Sequence, residues 1–72
     1  MGKFRYYCVA RPPILENIPR NGVKLIGVED FHERRYIPEI DCMARGWVEY
    51  DRPLRMKDVA HYGLISAPLE VE

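Results

Sequence analysis

The chain has 72 residues, which is room for one small domain because a second hydrophobic core would need more buried residues than this length supplies. Hydrophobic residues make up 47% of the chain, and this fraction excludes an intrinsically disordered protein. Eleven basic and eleven acidic residues balance to zero net charge, which argues against a general nucleic-acid binder. We therefore predict a single domain over residues 1–72.

The first predicted strand spans residues 3–10, where aromatic and other strand-favouring side chains are frequent. Alternation along this strand places Phe4, Tyr6 and Cys8 on one face. Two consecutive prolines end the strand, since proline cannot donate a hydrogen bond to a neighbouring strand. Residues 11–22 are predicted to form a proline-containing loop.

The next two predicted strands span residues 23–28 and 34–37, and the simplest pairing joins them as an antiparallel hairpin through residues 29–33. Residues 38–46 are ambiguous. A proline at the first helical position and a glycine just past the end bracket one short helix, and an irregular loop that enters the next strand fits the same residues.

Residues 46–50 are predicted to form a strand that supplies much of the core through Trp47 or Tyr50. Residues 55–62 are the most helix-like segment, and Gly63 is a natural left-handed stop directly after it.

A final strand is predicted at residues 64–66 and a flexible tail at residues 68–72. Together these elements predict an α+β fold, which is a small antiparallel sheet of three to five strands with one short helix packed against it.

The cysteine count and the amino terminus indicate a cytoplasmic protein. Two cysteines are few for a secreted domain of this size, which usually carries a denser set of disulfides. No apolar segment follows the amino terminus as in a signal peptide, and the longest apolar runs fall far below the roughly 20 residues that cross a bilayer. We predict no membrane association.

Nucleophilic catalysis has few candidate residues in this chain. The sequence contains no threonine and one serine, Ser66, which lacks the glycine pattern of a nucleophile elbow. The glycines are too scattered to form a phosphate-binding loop. The sequence therefore predicts no catalytic residue and no nucleotide cofactor.

Four residues are nominal zinc ligands: Cys8, His32, Cys42 and His61. None of them forms a pair at the spacing of two to four residues that lets one turn offer two ligands to a metal. The sequence predicts no metal site. The alternative function from the enzyme class is a small hydrolase or metal-dependent enzyme that uses His61 with Asp58 or Cys42.

Arginine and tyrosine carry the main binding signal. Residues 1–36 contain seven basic and four acidic side chains, and residues 37–72 contain four basic and seven acidic ones. Arginines interleaved with aromatic residues are typical of protein hot spots and of nucleic-acid platforms. The candidate binding residues are Arg5, Tyr7, Arg11, Arg34, Arg35 and Tyr36. The alternative interpretation of this pattern is structural: the tyrosines lie in the core and the arginines lie at the rim of the core.

We predict a small accessory module without catalytic activity that binds a protein, or in second place a nucleic acid, through this basic and aromatic surface. If the first strand lies beside the predicted hairpin, Arg5 and Arg35 share a face. A homo-oligomer that pairs through an exposed strand edge is a third possibility.

The proline pair after the first strand, the Asn21-Gly22 turn and the segments at residues 35–40, 46–54 and 62–64 carry a resemblance. In these segments the chain resembles small uncharacterised proteins of anaerobic gut bacteria that are associated with mobile-element gene neighbourhoods. The resemblance implies an accessory bacterial protein. It assigns no activity and no functional residue.

Overall fold

The computed structural model describes residues 3–20 and 22–67, which form one antiparallel sheet with a short helix. In chain order the elements are β1 (Phe4–Cys8), a 3-10 helix (Leu15–Asn17), β2 (Leu25–Ile37), β3 (Cys42–Tyr50), α1 (Met56–Tyr62) and β4 (Leu64–Ser66). The strand order across the sheet is β2-β3-β1-β4. The predicted α+β fold with a small antiparallel sheet and one short helix is confirmed. The predicted tail at residues 68–72 lies outside the described residues.

The predicted hairpin between residues 23–28 and 34–37 is wrong. Residues 25–28 and 34–37 belong to the single strand β2, which pairs with β3. Residues 29–33 contain neither glycine nor asparagine, and these residue types supply the left-handed conformation that a tight hairpin needs. The chain therefore continues in the same direction through this segment.

The segment that was predicted to turn forms a bulge instead. From Asp30 to Arg35, β2 advances by five residues, whereas β3 advances by two residues between their partners Gly46 and Ala44. The three surplus residues leave the regular ladder, and His32 takes a left-handed conformation with φ 62°. The bulge interrupts the pairing of β2, the edge strand, with β3, which has β1 on its other side.

The reversal between β2 and β3 lies at residues 38–41. Within it the Ile40 N–H donates to the Ile37 carbonyl at 3.2 Å, and Pro38 occupies the first central position, where proline favours such a turn. Asp41 closes the turn in a left-handed conformation with φ 52°. For the ambiguous residues 38–46, the helix alternative is wrong, because this turn leads directly into β3.

One face of the sheet carries the hydrophobic core. Ile18 from the loop and Val59 and Tyr62 from α1 pack on this face, so the loop and the helix cover the same side of the sheet. The buried members of the core cluster are Tyr6, Cys8, Ile18, Val48, Tyr50, Leu54 and Leu64. Tyr50 is the largest fully buried side chain, which agrees with its predicted place in the core.

Two buried tyrosines connect the sheet to the segments that cover it. The Tyr50 hydroxyl donates to the Pro19 carbonyl at 2.6 Å, and the Tyr6 hydroxyl accepts from the Leu54 N–H at 2.9 Å. The two rings meet edge to face with centroids 6.3 Å apart. Their polar ends are thus satisfied inside an otherwise apolar core.

The helix ends where the sequence predicts. Gly63 has φ 66°, and its N–H donates to the Ala60 carbonyl at 3.3 Å. A Cβ at this position would lie 2.5 Å from the Cβ of Ala10, so glycine is required both for conformation and for space. In the described part of the chain, no helix is long and apolar enough to cross a membrane.

The two edges of the sheet are short or interrupted. Register shifts leave β2 with regular stretches of four and three residues, Gly27–Asp30 and Arg35–Ile37, and β4 at the other edge has three residues. Bulged and short edges are the usual protection against pairing with a second chain. The fold therefore gives little support to a homo-oligomer that pairs through a strand edge.

Candidate binding face

Ile18 of the loop and the core residues of α1 pack on one side of the sheet, and on the opposite side the turn between β2 and β3 contacts the buried Tyr7. Strand register and alternation place the following side chains on this opposite side, which we call the outer face: Arg5, Tyr7, Glu29, Tyr36, Met43, Arg45, Trp47, Glu49 and Ile65. The outer face thus combines aromatic, apolar and charged groups.

Arg5 is fixed at one end of the outer face. Its guanidinium lies 4.0 Å from the centre of the Trp47 ring, and its Nη2 lies 2.6 Å from Oε2 of Glu49, the residue opposite it on β3. Burial alone lowers the pKa of Arg5, but hydrogen bonds with Glu49 and Tyr7 outweigh it and raise the pKa above its ordinary value. The guanidinium of Arg5 is therefore positively charged and immobilised, and the carboxylate of Glu49 balances its charge.

Tyr7 links the centre of the outer face to the turn between β2 and β3. The side chain is buried, lies opposite Trp47 and donates its hydroxyl to the carboxylate of Glu39. Burial and then the hydrogen bond to Glu39 raise the pKa of Tyr7. This contact holds the turn against the outer face.

Tyr36 and Met43 form the exposed part of the outer face. They are register partners on β2 and β3, and 55% and 44% of their surfaces are exposed. The Tyr36 hydroxyl donates to Asp41, and this hydrogen bond raises the pKa of Tyr36. Large apolar side chains are thus presented to solvent beside a fixed carboxylate.

Arg5 and Arg35 do not share a face, because their register partners on β3 lie on opposite sides of the sheet. Arg5 is opposite Glu49, whereas Arg35 is opposite Ala44, five positions away on β3 and on the other side by alternation. The candidate residues on the outer face are Arg5, Tyr7 and Tyr36.

The other three candidate residues lie elsewhere. The Arg35 guanidinium lies 4.7 Å from the centre of the Phe31 ring, and its Nε lies 3.2 Å from the Glu33 carboxylate. Arg11 donates to a backbone carbonyl of α1 at 3.3 Å, and Arg34 is exposed in the bulged part of β2. The six predicted residues therefore do not form one continuous surface.

Sequence reasoning missed the other residues that build the outer face or its rim: Glu29, Glu39, Asp41, Met43, Arg45, Trp47, Glu49 and Ile65. A signal existed for one of them. Trp47 and Tyr50 are three residues apart, so a strand that buries Tyr50 must direct Trp47 to the opposite face. Trp47 is half-buried there, under the guanidinium of Arg5.

A family model described as "Defence against restriction A C-terminal" matches residues 1–69. The chain belongs to this family. The name of the defence against restriction family agrees with the mobile-element association that the resemblance implies, and it supports an accessory role in that defence. The association with gut bacteria stays a prediction. Searches among curated proteins and among solved structures found no match.

The residues of the enzyme alternative are not assembled in this member of the defence against restriction family. The Asp58 carboxylate lies 3.6 Å from Arg55, and the His61 ring packs edge to face on Tyr62 at 4.8 Å. Within residues 3–20 and 22–67, no hydrogen bond or ion pair joins His61 to Asp58 or to Cys42, and no group of potential ligands is placed to hold a metal.

A concavity of about 260 Å³ lies beside the bulge of β2. Its lining residues are Pro12, Asp30, His32, Glu33 and Arg45. The Arg45 Nε is buried and has no hydrogen-bond partner among the described residues. None of the residues of the enzyme alternative, which are His61, Asp58 and Cys42, lines this concavity.

Cys8 is a core residue and not a reactive thiol. Only 2% of its surface is exposed, and burial, assisted by the charge of Asp30, raises its pKa to about 12. A thiol with so high a pKa holds almost no thiolate at neutral pH.

The raised pKa of Cys8 predicts a loss of stability at alkaline pH. The pKa of Cys8 in the folded state lies above the ordinary thiol value of 9.0. The neutral thiol therefore makes its full contribution to the free energy of unfolding below pH 9, and this contribution is lost as the pH rises to about 12. In this window the free energy of unfolding is expected to fall by up to about 1.4 kcal/mol per pH unit through this group. Urea unfolding followed by Trp47 fluorescence measures the slope.

The Cys8→Ala variant is expected to start at lower stability and to show a shallower alkaline slope than the wild type. Cys42→Ala is the matched control and should retain the wild-type slope, because Cys42 lies outside the core cluster. Equal slopes for Cys8→Ala and the wild type would contradict a buried neutral thiol.

Proposed function

We propose that this chain is a small accessory module, without catalytic activity, that binds a protein partner through the outer face. In this proposal the binding serves the defence against restriction for which the family is named. The observation that carries the proposal is the exposure of Tyr36 and Met43 on the sheet face opposite the core, on the same face as the half-buried Trp47.

The residue types of the outer face support a protein interface. Tryptophan, tyrosine, methionine and arginine are enriched in protein–protein interfaces. Tryptophan, tyrosine and arginine are also the residue types that dominate binding hot spots. Tyr36 and Met43 expose large apolar surfaces, while the buried residues of the chain already form a core on the other side. These exposed side chains are thus available to a partner.

The charges of the outer face favour a protein over a nucleic acid. Nucleic-acid affinity depends on free cations that neutralise phosphates. Arg5 is already paired with Glu49, and the carboxylates of Glu39 and Asp41 at the rim outnumber the guanidinium of Arg45. These carboxylates repel a phosphate backbone, so we place the protein partner first.

The fixed side chains of the outer face also favour tight binding. Arg5 is held between Trp47 and Glu49, and the exposed Tyr36 is held by Asp41. Side chains that are already ordered lose less conformational entropy when a partner binds.

The proposal is tested by affinity capture from the native cell with the double variant Tyr36→Ala, Met43→Ala. Because both side chains are exposed, stability should stay within about 1 kcal/mol of the wild type. Loss of hot-spot contacts is expected to weaken capture by at least roughly tenfold. The captured protein is identified by mass spectrometry, and its affinity is then measured by titration calorimetry.

The matched control is Met56→Ala, since Met56 is 83% exposed on α1 and belongs to the covered side of the sheet. This variant should capture the partner like the wild type. Capture that is insensitive to the double variant, or capture of nucleic acid alone, would contradict the proposed protein interface.

A further inference from the structure

We infer that the outer face binds a basic segment of its protein partner and that an arginine of this segment contacts the carboxylates of Glu39 and Asp41 beside the tyrosine rings. This inference rests on the proposed function. It adds the chemistry of the partner, which the shape of the sheet alone does not define.

The chain itself shows this recognition chemistry twice. Arg5 lies 4.0 Å over Trp47 and pairs with Glu49 at 2.6 Å. Arg35 lies 4.7 Å over Phe31 and has an ion pair with a glutamate two residues before it at 3.2 Å. In both cases an aromatic ring and a carboxylate together hold one guanidinium.

A third combination of aromatic rings and carboxylates lies at the turn between β2 and β3. Glu39 accepts a hydrogen bond from Tyr7, and Asp41 accepts one from Tyr36. A tyrosine hydroxyl is neutral, so it orients the carboxylate without cancelling its charge. Among the described residues, neither Glu39 nor Asp41 belongs to an ion pair.

The surrounding charges make this part of the outer face complementary to a cation. Arg5 is paired with Glu49, and Arg45, which alternation places on the outer face, forms no ion pair in the described part of the chain, so it contributes one positive charge. Glu29 lies opposite Trp47 and adds another exposed carboxylate. The carboxylates of Glu29, Glu39 and Asp41 thus outnumber the guanidinium of Arg45, and this net negative charge beside the exposed surface of Tyr36 and Met43 selects a positively charged partner segment.

Arginine fits this surface better than lysine. Its planar guanidinium stacks on an aromatic ring and donates several hydrogen bonds in a fixed geometry, so it contacts a ring and a carboxylate at once. The internal contacts of Arg5 and Arg35 have this geometry.

The inference is tested with the double variant Glu39→Gln, Asp41→Asn. The amide oxygens still accept the hydrogen bonds of the tyrosines, so the variant removes charge and retains the turn. The control variant Glu16→Gln, Glu33→Gln removes the same number of charges away from the outer face. Three probes are titrated, with Trp47 fluorescence as the readout: a blocked peptide of alternating arginine and glycine, the same peptide with glutamate, and oligothymidylate.

The arginine peptide is expected to change the emission of Trp47 in the wild type and in the control variant. The dissociation constant should rise by roughly tenfold or more in the Glu39→Gln, Asp41→Asn variant, because two charge-assisted contacts are lost. Added salt should weaken the binding. No response to the arginine peptide, an equal response to either other probe, or equal affinity in the two double variants overturns the inference.

Affinity capture separates this inference from the proposed function. Suppose that the Tyr36→Ala, Met43→Ala variant loses the native partner and the Glu39→Gln, Asp41→Asn variant retains it at full affinity. The outer face is then the interface, and the inference that the partner binds through a basic segment is wrong. If both variants retain the partner, the proposed function is wrong as well.

Discussion

Replacing Gly46 with alanine is expected to destabilise the protein by about 3–5 kcal/mol, which is a large part of the stability of a domain of this size. A Cβ at this position would lie 2.2 Å from the Glu29 carbonyl oxygen and 2.6 Å from Cγ of Pro13. The oxygen belongs to the neighbouring strand, so it cannot rotate away like a side chain. The variant must separate β2 from β3 or displace the proline-containing loop.

Urea unfolding followed by Trp47 fluorescence measures the effect of Gly46→Ala. Gly27→Ala is the matched control in β2, because the nearest atoms to its Cβ are side-chain atoms of Glu49 and Trp47 at 3.3 and 3.4 Å. Its stability should stay within about 1 kcal/mol of the wild type. Equal stability of the two glycine variants would show that β2 and β3 do not approach as described.

Replacing Tyr50 with alanine is expected to cost about 3–5 kcal/mol, because it removes the largest fully buried side chain and leaves a cavity beside Tyr6. Tyr50→Phe retains the ring and removes the hydroxyl that donates to Pro19. It should cost about 1–3 kcal/mol, since a buried carbonyl then has no donor. Urea unfolding at neutral pH measures both values.

Tyr36→Phe is the control for the hydroxyl of Tyr50. Tyr36 is exposed, and its hydroxyl donates to an exposed carboxylate, so the loss should stay within about 0.5 kcal/mol. A Tyr50→Phe variant as stable as Tyr36→Phe would contradict a buried hydrogen bond between the sheet and the loop.

Local signals predicted most elements of the fold. Aromatic alternation identified β1, and Gly63 identified the end of α1, because both depend on residues close in sequence. The hairpin between residues 23–28 and 34–37 was wrong because β2 obtains its partner from β3, far along the chain. The residues next to 31–34 in sequence cannot show that this segment forms a bulge rather than a turn.

The candidate site was predictable only in part. Arginine and tyrosine content identified Arg5, Tyr7 and Tyr36 by residue type, and the structure places all three on the outer face. The contact of Tyr7 with Glu39 depends on how the β2–β3 turn lies against β1, which alternation does not reveal. Arg35 was grouped with Arg5 because the sequence did not show the strand register, which places the two arginines on opposite faces of the sheet.

The claim that the outer face is the contact surface is tested most directly by photo-crosslinking in the native cell. A benzophenone amino acid is placed at position 43 on the outer face and, in a second variant, at position 56 on α1. We predict that position 43 crosslinks to one protein and that position 56 does not. Crosslinking to a protein from position 56 alone, or to nucleic acid from position 43, would contradict the account.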